Sequence, residues 1–242
     1  MNLLTFDSQQ KLHESAAGII TGLVQTRPRA VLGLATGGTP VGIYHAMVKS
    51  YQRGLVSFRS ATTFNLDEYV GLPESHPESY HSYMRNQLFR HIDLPPAQAH
   101  IPDGNAADIV AECKRYDRLL EDAGQIDLQL LGLGHNGHIG FNEPAHTLIS
   151  GTHLVNLQED TRKANARFFH SIDKVPSRAL TMGIGTILKA KTILLVVKGA
   201  DKAEIVHTAL TGPITTQCPA SLLQTHPRLV VLLDAEAARL FQ

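Results

Sequence analysis

Residues 30–40 read AVLGLATGGTP. Six apolar or small residues without polar alternation suit a strand buried on both faces. A short Gly-Gly turn follows, and then a proline placed where a helix takes its first residue. Ile43, Met47 and Val48 continue that helix at helical spacing. Strand, glycine turn, helix is the unit from which parallel α/β sheets are built.

The same alternation runs outward in both directions. NLLTF (2–6) reads as a strand, with Asp7 or Ser8 able to cap a helix carrying Leu12, Ala16, Ile19, Ile20 and Leu23. Arg27-Pro28 ends that pattern. TTFNLD (62–67), DLQLLGLG (127–134), TILLVV (192–197) and RLVVLL (228–233) are further apolar strands. Helices are expected over 77–91, 106–123, 176–190 and 201–210, with a terminal one after the last strand. These elements predict a three-layer α/β fold, a mostly parallel open sheet with helices on both faces. No linker tract or fixed repeat divides the chain, so one domain over 1–242 is expected.

Composition narrows the function. The 242 residues include 22 basic and 22 acidic side chains, giving zero formal charge. That balance supplies no general hold on nucleic acid or an anionic membrane. Apolar residues at 43% support a sizeable core and argue against disorder. Cys113 and Cys218 form neither a metal spacing nor a disulfide framework. MNLLTFDSQQ lacks the basic and apolar regions of a signal peptide, and no apolar run approaches a bilayer span. A soluble, cytoplasmic protein is the expectation.

Ligands of open α/β sheets bind beyond the carboxyl ends of the strands. Four unusual loops lie directly after apolar strands: Thr36–Pro40, Asp67–Tyr69, His135–Pro144 and Gly199–Lys202. Parallel strands would bring all four to one edge. TGGTP offers two glycines, two hydroxyls and a helix start, which suit an anion; alone it also fits an ordinary tight turn. Asp67 and Glu68 stand where a buried carboxylate serves as a general base, or where a strand simply ends in solvent. Ser79 reads as a local helix cap.

Gly132, Gly134 and Gly137 spell GxGxxG, yet Gly140 and Pro144 interrupt the helix a dinucleotide fingerprint must open. His135 and His138 form an HxxH pair near Glu143, but no helix aligns the rings and no clear third ligand follows. An idle Asn-Gly turn, or a catalytic loop holding His138 and Glu143, remain the two readings. Arg162, Lys163, Arg167 and Lys202 are cations from which one or two could meet a phosphate, or remain solvated surface charges.

Together, GLATGGTP (33–40), FNLDEYVGL (64–72), HPESYHSYM (76–84), GLGHNGHIGFNEP (132–144), KANARFF (163–169) and ALTMGIGTILKAK (179–191) resemble the glucosamine-6-phosphate deaminase family across essentially the whole chain. The resemblance implies a Rossmann-like fold shared with phosphogluconolactonases. It also implies conversion of glucosamine 6-phosphate and water to fructose 6-phosphate and ammonia in amino-sugar catabolism, with neither cofactor nor metal. Asp67 would be the base at carbon 2, His138 would assist ring opening, and Glu143 would orient His138. Asn136, where longer allosteric members carry Asp, would position His138 by hydrogen bonding. Thr36, Gly37, Gly38, Thr39, Arg167 and Lys202 match phosphate-binding positions, and Glu68 would line the substrate.

Asn136 and the absence of the C-terminal extension of allosteric members imply a non-allosteric enzyme, a monomer or simple homo-oligomer. A 6-phosphogluconolactonase and a silent sugar-phosphate sensor are the competing readings. FNEP after GHIG and the LDEY stretch favour the deaminase, and a sensor would be marked by loss of Asp67, His138 or Glu143. Residues 145–175 lie beside the site and mix loop with helix, which leaves open whether they form a lid.

Overall fold

The computed structural model describes residues 1–241. Seven parallel strands form the main sheet: β1 (Asn2–Phe6), β2 (Val31–Leu34), β3 (Thr62–Asn65), β5 (Ala99–His100), β6 (Leu128–Leu131), β9 (Ile193–Val197) and β10 (Leu229–Asp234). Their order is β1-β10-β9-β6-β2-β3-β5. The expected α/β architecture is present. Its central strands β2, β6 and β9 are buried at every residue, which is why their sequences show no polar alternation.

The larger helices begin where local chemistry directs. Ser8 accepts from Lys11 N–H and caps α1 (Gln9–Thr26), while Pro40 opens α2 (Pro40–Gln52). Ser79 caps α3 (Tyr80–Gln87), accepting from Ser82 N–H as its sequence position suggested. Asp108 accepts from Val110 and Ala111 N–H at the start of α4 (Ile109–Asp122). None of the helices over the described residues is long and apolar enough to cross a membrane.

A second sheet was not anticipated. β3 stops at Asn65, and β4 (Asp67–Tyr69) leaves it to pair antiparallel with β8 (Arg178–Thr181). β8 also pairs antiparallel with β7 (His153–Asn156). The helix expected over 176–190 is therefore strand β8 followed by the short α6 (Ile184–Leu188). Pairing with β4 and β7 overrides its helical spacing. Gly183 and Gly185 also admit the backbone and side chain of Ser150 where any Cβ would collide.

Between β7 and β8 lies α5 (Glu159–Phe169), whose Phe169 joins Tyr69, Phe141, Leu157, Val175 and Ala179 in a satellite apolar cluster. Thus 145–175 contains a strand and a packed helix. The helix after β9 is α7 (Ala203–Thr211). The expected terminal helix is a run of turns instead, drawn tight where Asp234 accepts from Ala237 N–H at 2.9 Å.

Candidate active site

β9, β6, β2 and β3 are consecutive neighbours, so the four loops do open together on the carboxyl edge. From β2 the chain steps outward to β3 and β5, and afterwards to β6, β9 and β10 on the other side. The Thr36–Pro40 and His135–Pro144 loops therefore flank the point where the strand order reverses, the usual ligand crevice of such sheets.

Thr36–Thr39 is braced from below. Tyr44 donates to Ala35 O at 2.5 Å, and Tyr83 of α3 donates to Gly37 O at 2.6 Å. Gly37 has φ +89°, a conformation open to glycine. A Cβ on Gly38 would lie 3.9 Å from Arg167 Nη2, so the guanidinium reaches across from α5 to this loop. Lys202 approaches from the loop after β9. Burial brings its ammonium down to about 8, against the pull of Asp201 and with the push of Arg167. Two cations and a helix start thus converge as an anion seat.

The other α5 cations are occupied elsewhere. Arg162 donates to Ile172 O and Val175 O, and Lys163 pairs with Glu159 at 2.7 Å. The loop holding Lys202 is itself held, since Gly199 N–H donates to both Asp234 carboxylate oxygens at 3.0 Å.

Asp67 is 6% exposed, with its Oδ2 3.6 Å from the place a Gly140 Cβ would occupy. Burial, then the neighbouring charge of Glu68, pushes its carboxyl up to about 8. Glu68 faces elsewhere, as successive strand residues must. Its oxygens accept from the N–H groups of Tyr69, Tyr80 and His81, and Oε2 lies 2.9 Å from His81 Nδ1. Through these contacts Glu68 ties α3 to β4.

His138 packs on Gly134, where a Cβ would enter the imidazole ring. Gly137, at φ +83°, comes so close to Cys218 that a Cβ would stand 2.6 Å from its Sγ. Gly134 and Gly137 of the GxGxxG run therefore make room for a ring and a thiol, while a Cβ on Gly132 would meet open space. The HxxH rings diverge, His135 to Asp201 at 2.7 Å and His138 Nδ1 to Asn136 Oδ1 at 2.7 Å. Burial, then Lys202 and His135, holds the His138 imidazole down to about 4, so it is neutral at pH 7.

Glu143 differs from expectation. Its carboxylate accepts from Gln158 N–H at 2.9 Å and from the Thr161 hydroxyl, both at the start of α5. It anchors α5 in this structure, and Asn136 is the residue that orients His138. Tyr83, Tyr80 and His81 escaped the sequence reading, although their spacing along HPESYHSYM places them on one helix near the site.

Comparison with known proteins identifies the family. Residues 6–231 match the family described as glucosamine-6-phosphate isomerases/6-phosphogluconolactonase. A glucosamine-6-phosphate deaminase of Bacillus velezensis is 52% identical over 98% of this chain and 99% of its own. Glucosamine-6-phosphate deaminase 1 of Bacillus subtilis is 50% identical over 99% of both. The solved structure of a monomeric glucosamine-6-phosphate deaminase superposes with a TM-score of 0.97 at 50% identity, covering 99% of this chain and 100% of that one. A 6-phosphogluconolactonase from Thermotoga maritima, 18% identical over 96% of this chain and 99% of its own, shares the fold at a TM-score of 0.76. The chain belongs to the glucosamine-6-phosphate isomerase/6-phosphogluconolactonase family.

Proposed function

We propose that this protein is a glucosamine-6-phosphate deaminase, converting glucosamine 6-phosphate and water to fructose 6-phosphate and ammonia. One arrangement carries the proposal: a buried carboxylate, Asp67, shares the sheet edge with a neutral histidine and an anion seat. The substrate phosphate sits on Thr36–Thr39 with Arg167 and Lys202, and this remote binding orients the reacting carbons. The Nε2 of His138 takes the proton of the carbon 1 hydroxyl and passes it to the ring oxygen, opening the sugar to its aldehyde.

Asp67 must then be ionised. A substrate ammonium beside it favours the carboxylate and opposes the cost of burial. Asp67 removes the proton from carbon 2 while one ammonium proton moves to the carbonyl oxygen, leaving a neutral enolamine, and Asp67 then returns its proton to carbon 1. The resulting ketose iminium takes up water at carbon 2 and releases ammonia, so the equation balances without an oxidant. Lactone hydrolysis, the reaction of the 6-phosphogluconolactonases, requires no carbon base and would leave Asp67 without this task.

The enzyme acts as a monomer in this proposal, as does the relative of nearly identical fold; sedimentation velocity measures that directly. Ammonia release from glucosamine 6-phosphate, assayed beside 6-phosphogluconolactone hydrolysis, tests the activity. Ammonia without lactonase turnover supports it, and the reverse pattern removes it. Asp67→Asn is expected to lose solvent hydrogen exchange at carbon 2 while still binding a phosphorylated sugar.

A further inference from the structure

Behind Asp67 stands a second carboxylate that the reaction does not touch. Glu68 is 2% exposed, and three backbone N–H groups, two of them at the start of α3, point at its oxygens. Its fourth partner is a side chain, His81 Nδ1 at 2.9 Å. The other ring nitrogen of His81 lies 3.5 Å from Glu74 Oε1, so the imidazole bridges two carboxylates.

We propose that His81 is a positioning residue for the reaction: acting through Glu68, it sets how much negative charge stands behind Asp67, so that Asp67 is the carboxylate that exchanges a proton. The inference rests on Asp67 being the carbon base.

Four N–H donors stabilise charge on Glu68, whereas Asp67 accepts none from the described residues. Asp67 is therefore the carboxyl that burial and the neighbouring charge push up. The stronger the net charge at Glu68, the more tightly Asp67 holds its proton and the better a base its carboxylate becomes. An imidazolium at His81 weakens this push.

The groups facing His81 are Glu68 from β4, Glu74 from the loop before α3, and Asp103 from the loop before α4. Burial works against its protonation, but the Glu68 hydrogen bond and these charges outweigh burial and raise its titration above the ordinary value. The groups within electrostatic reach of Asp67 are Glu68 and the phenols of Tyr44, Tyr69, Tyr80 and Tyr116. Burial pushes those phenols upward, so they stay neutral throughout the working range.

The test compares the parent enzyme with His81→Gln and Glu68→Gln by two readouts. One is the pH profile of kcat/KM for ammonia release; the other is the carboxyl titration of Asp67 by 13C NMR, assigned with Asp67→Asn. Removing the imidazolium should move both midpoints up by about half a pH unit or more, and neutralising Glu68 should move both down by a similar amount. Lower kcat at an unmoved midpoint assigns His81 a structural role and overturns the proposal. Glu68 is buried, so if that variant does not fold, the upward shift in His81→Gln decides alone. The NMR titration needs no turnover: Asp67 midpoints that shift in a protein inactive on glucosamine 6-phosphate would remove the deaminase reading and leave the charge coupling standing.

Discussion

The Oδ1 of Asn136 accepts twice from His138, from its backbone N–H at 3.2 Å and from its ring Nδ1 at 2.7 Å. An amide oxygen only accepts, so the ring hydrogen resides on Nδ1 and Nε2 keeps a free lone pair. Asn136→Asp places a carboxylate at the same point. It is expected to raise the His138 titration from about 4 by about 1–2 units, read from imidazole 15N shifts against pH. A midpoint that does not rise contradicts the contact.

Under the proposed mechanism Asp67 is the base and Lys202 a phosphate cation, and both titrate at about 8. Asp67 works only when deprotonated, so kcat/KM climbs as pH approaches 8 from below. Lys202 holds phosphate only when protonated, so kcat/KM declines above it. A narrow bell centred near pH 8 is expected, since kcat/KM reports the free enzyme. In Lys202→Met the alkaline limb should disappear while the acid limb persists.

Asp67 also taxes stability in a calculable direction. Its folded value of about 8 exceeds the ordinary carboxylate value of 3.8, so the native state holds a proton that the unfolded chain releases. Stability on this account is fully present below pH 3.8, declines by at most about 1.4 kcal/mol per pH unit, and is lost above pH 8. Asp67→Asn mimics the protonated acid. Its Tm should differ little from the parent at pH 4 and exceed it most at pH 8 and above. A Tm difference independent of pH would show that Asp67 ionises freely.

Gly134→Ala tests the seat of the ring that opens the sugar in the proposed reaction. The new methyl enters the space of the His138 imidazole, which must swing away. A loss in kcat of roughly 10²-fold is expected from such misplacement, with far-UV circular dichroism and fructose 6-phosphate binding retained. Normal turnover would show that the ring position is not critical.

Much of this arrangement is legible in the sequence because parallel strands announce themselves by unbroken apolar runs, and their loops must then share an edge. Thr36–Thr39, Asp67 and His138 follow from that rule. What stayed hidden depends on pairings between distant segments. Asp67 lies opposite Thr181 in the small sheet, and ALTM carries a spacing that fits a helix equally well. Glu143 illustrates the same limit: nothing local in FNEP reveals that Gln158 and Thr161 will claim its carboxylate. Likewise the glycines of GLGHNGH look like a nucleotide loop until the ring of His138 and the thiol of Cys218 are seen filling the space.

The two ends of the sheet carry a consequence for how the protein comes into being. β1 is synthesised well before β10, yet among the described residues its ladder is with β10, which inserts between β1 and β9. Synthesis proceeds at about 5–20 residues per second, so β1 waits many seconds for a partner. Asp234, at the end of β10, is the group that fastens Gly199 and with it the loop bearing Lys202. The loop bearing Lys202 is therefore held only once β10 is in place. A nascent chain that has not yet reached β10 can hold most of the sheet and still lack the contact that fixes this loop.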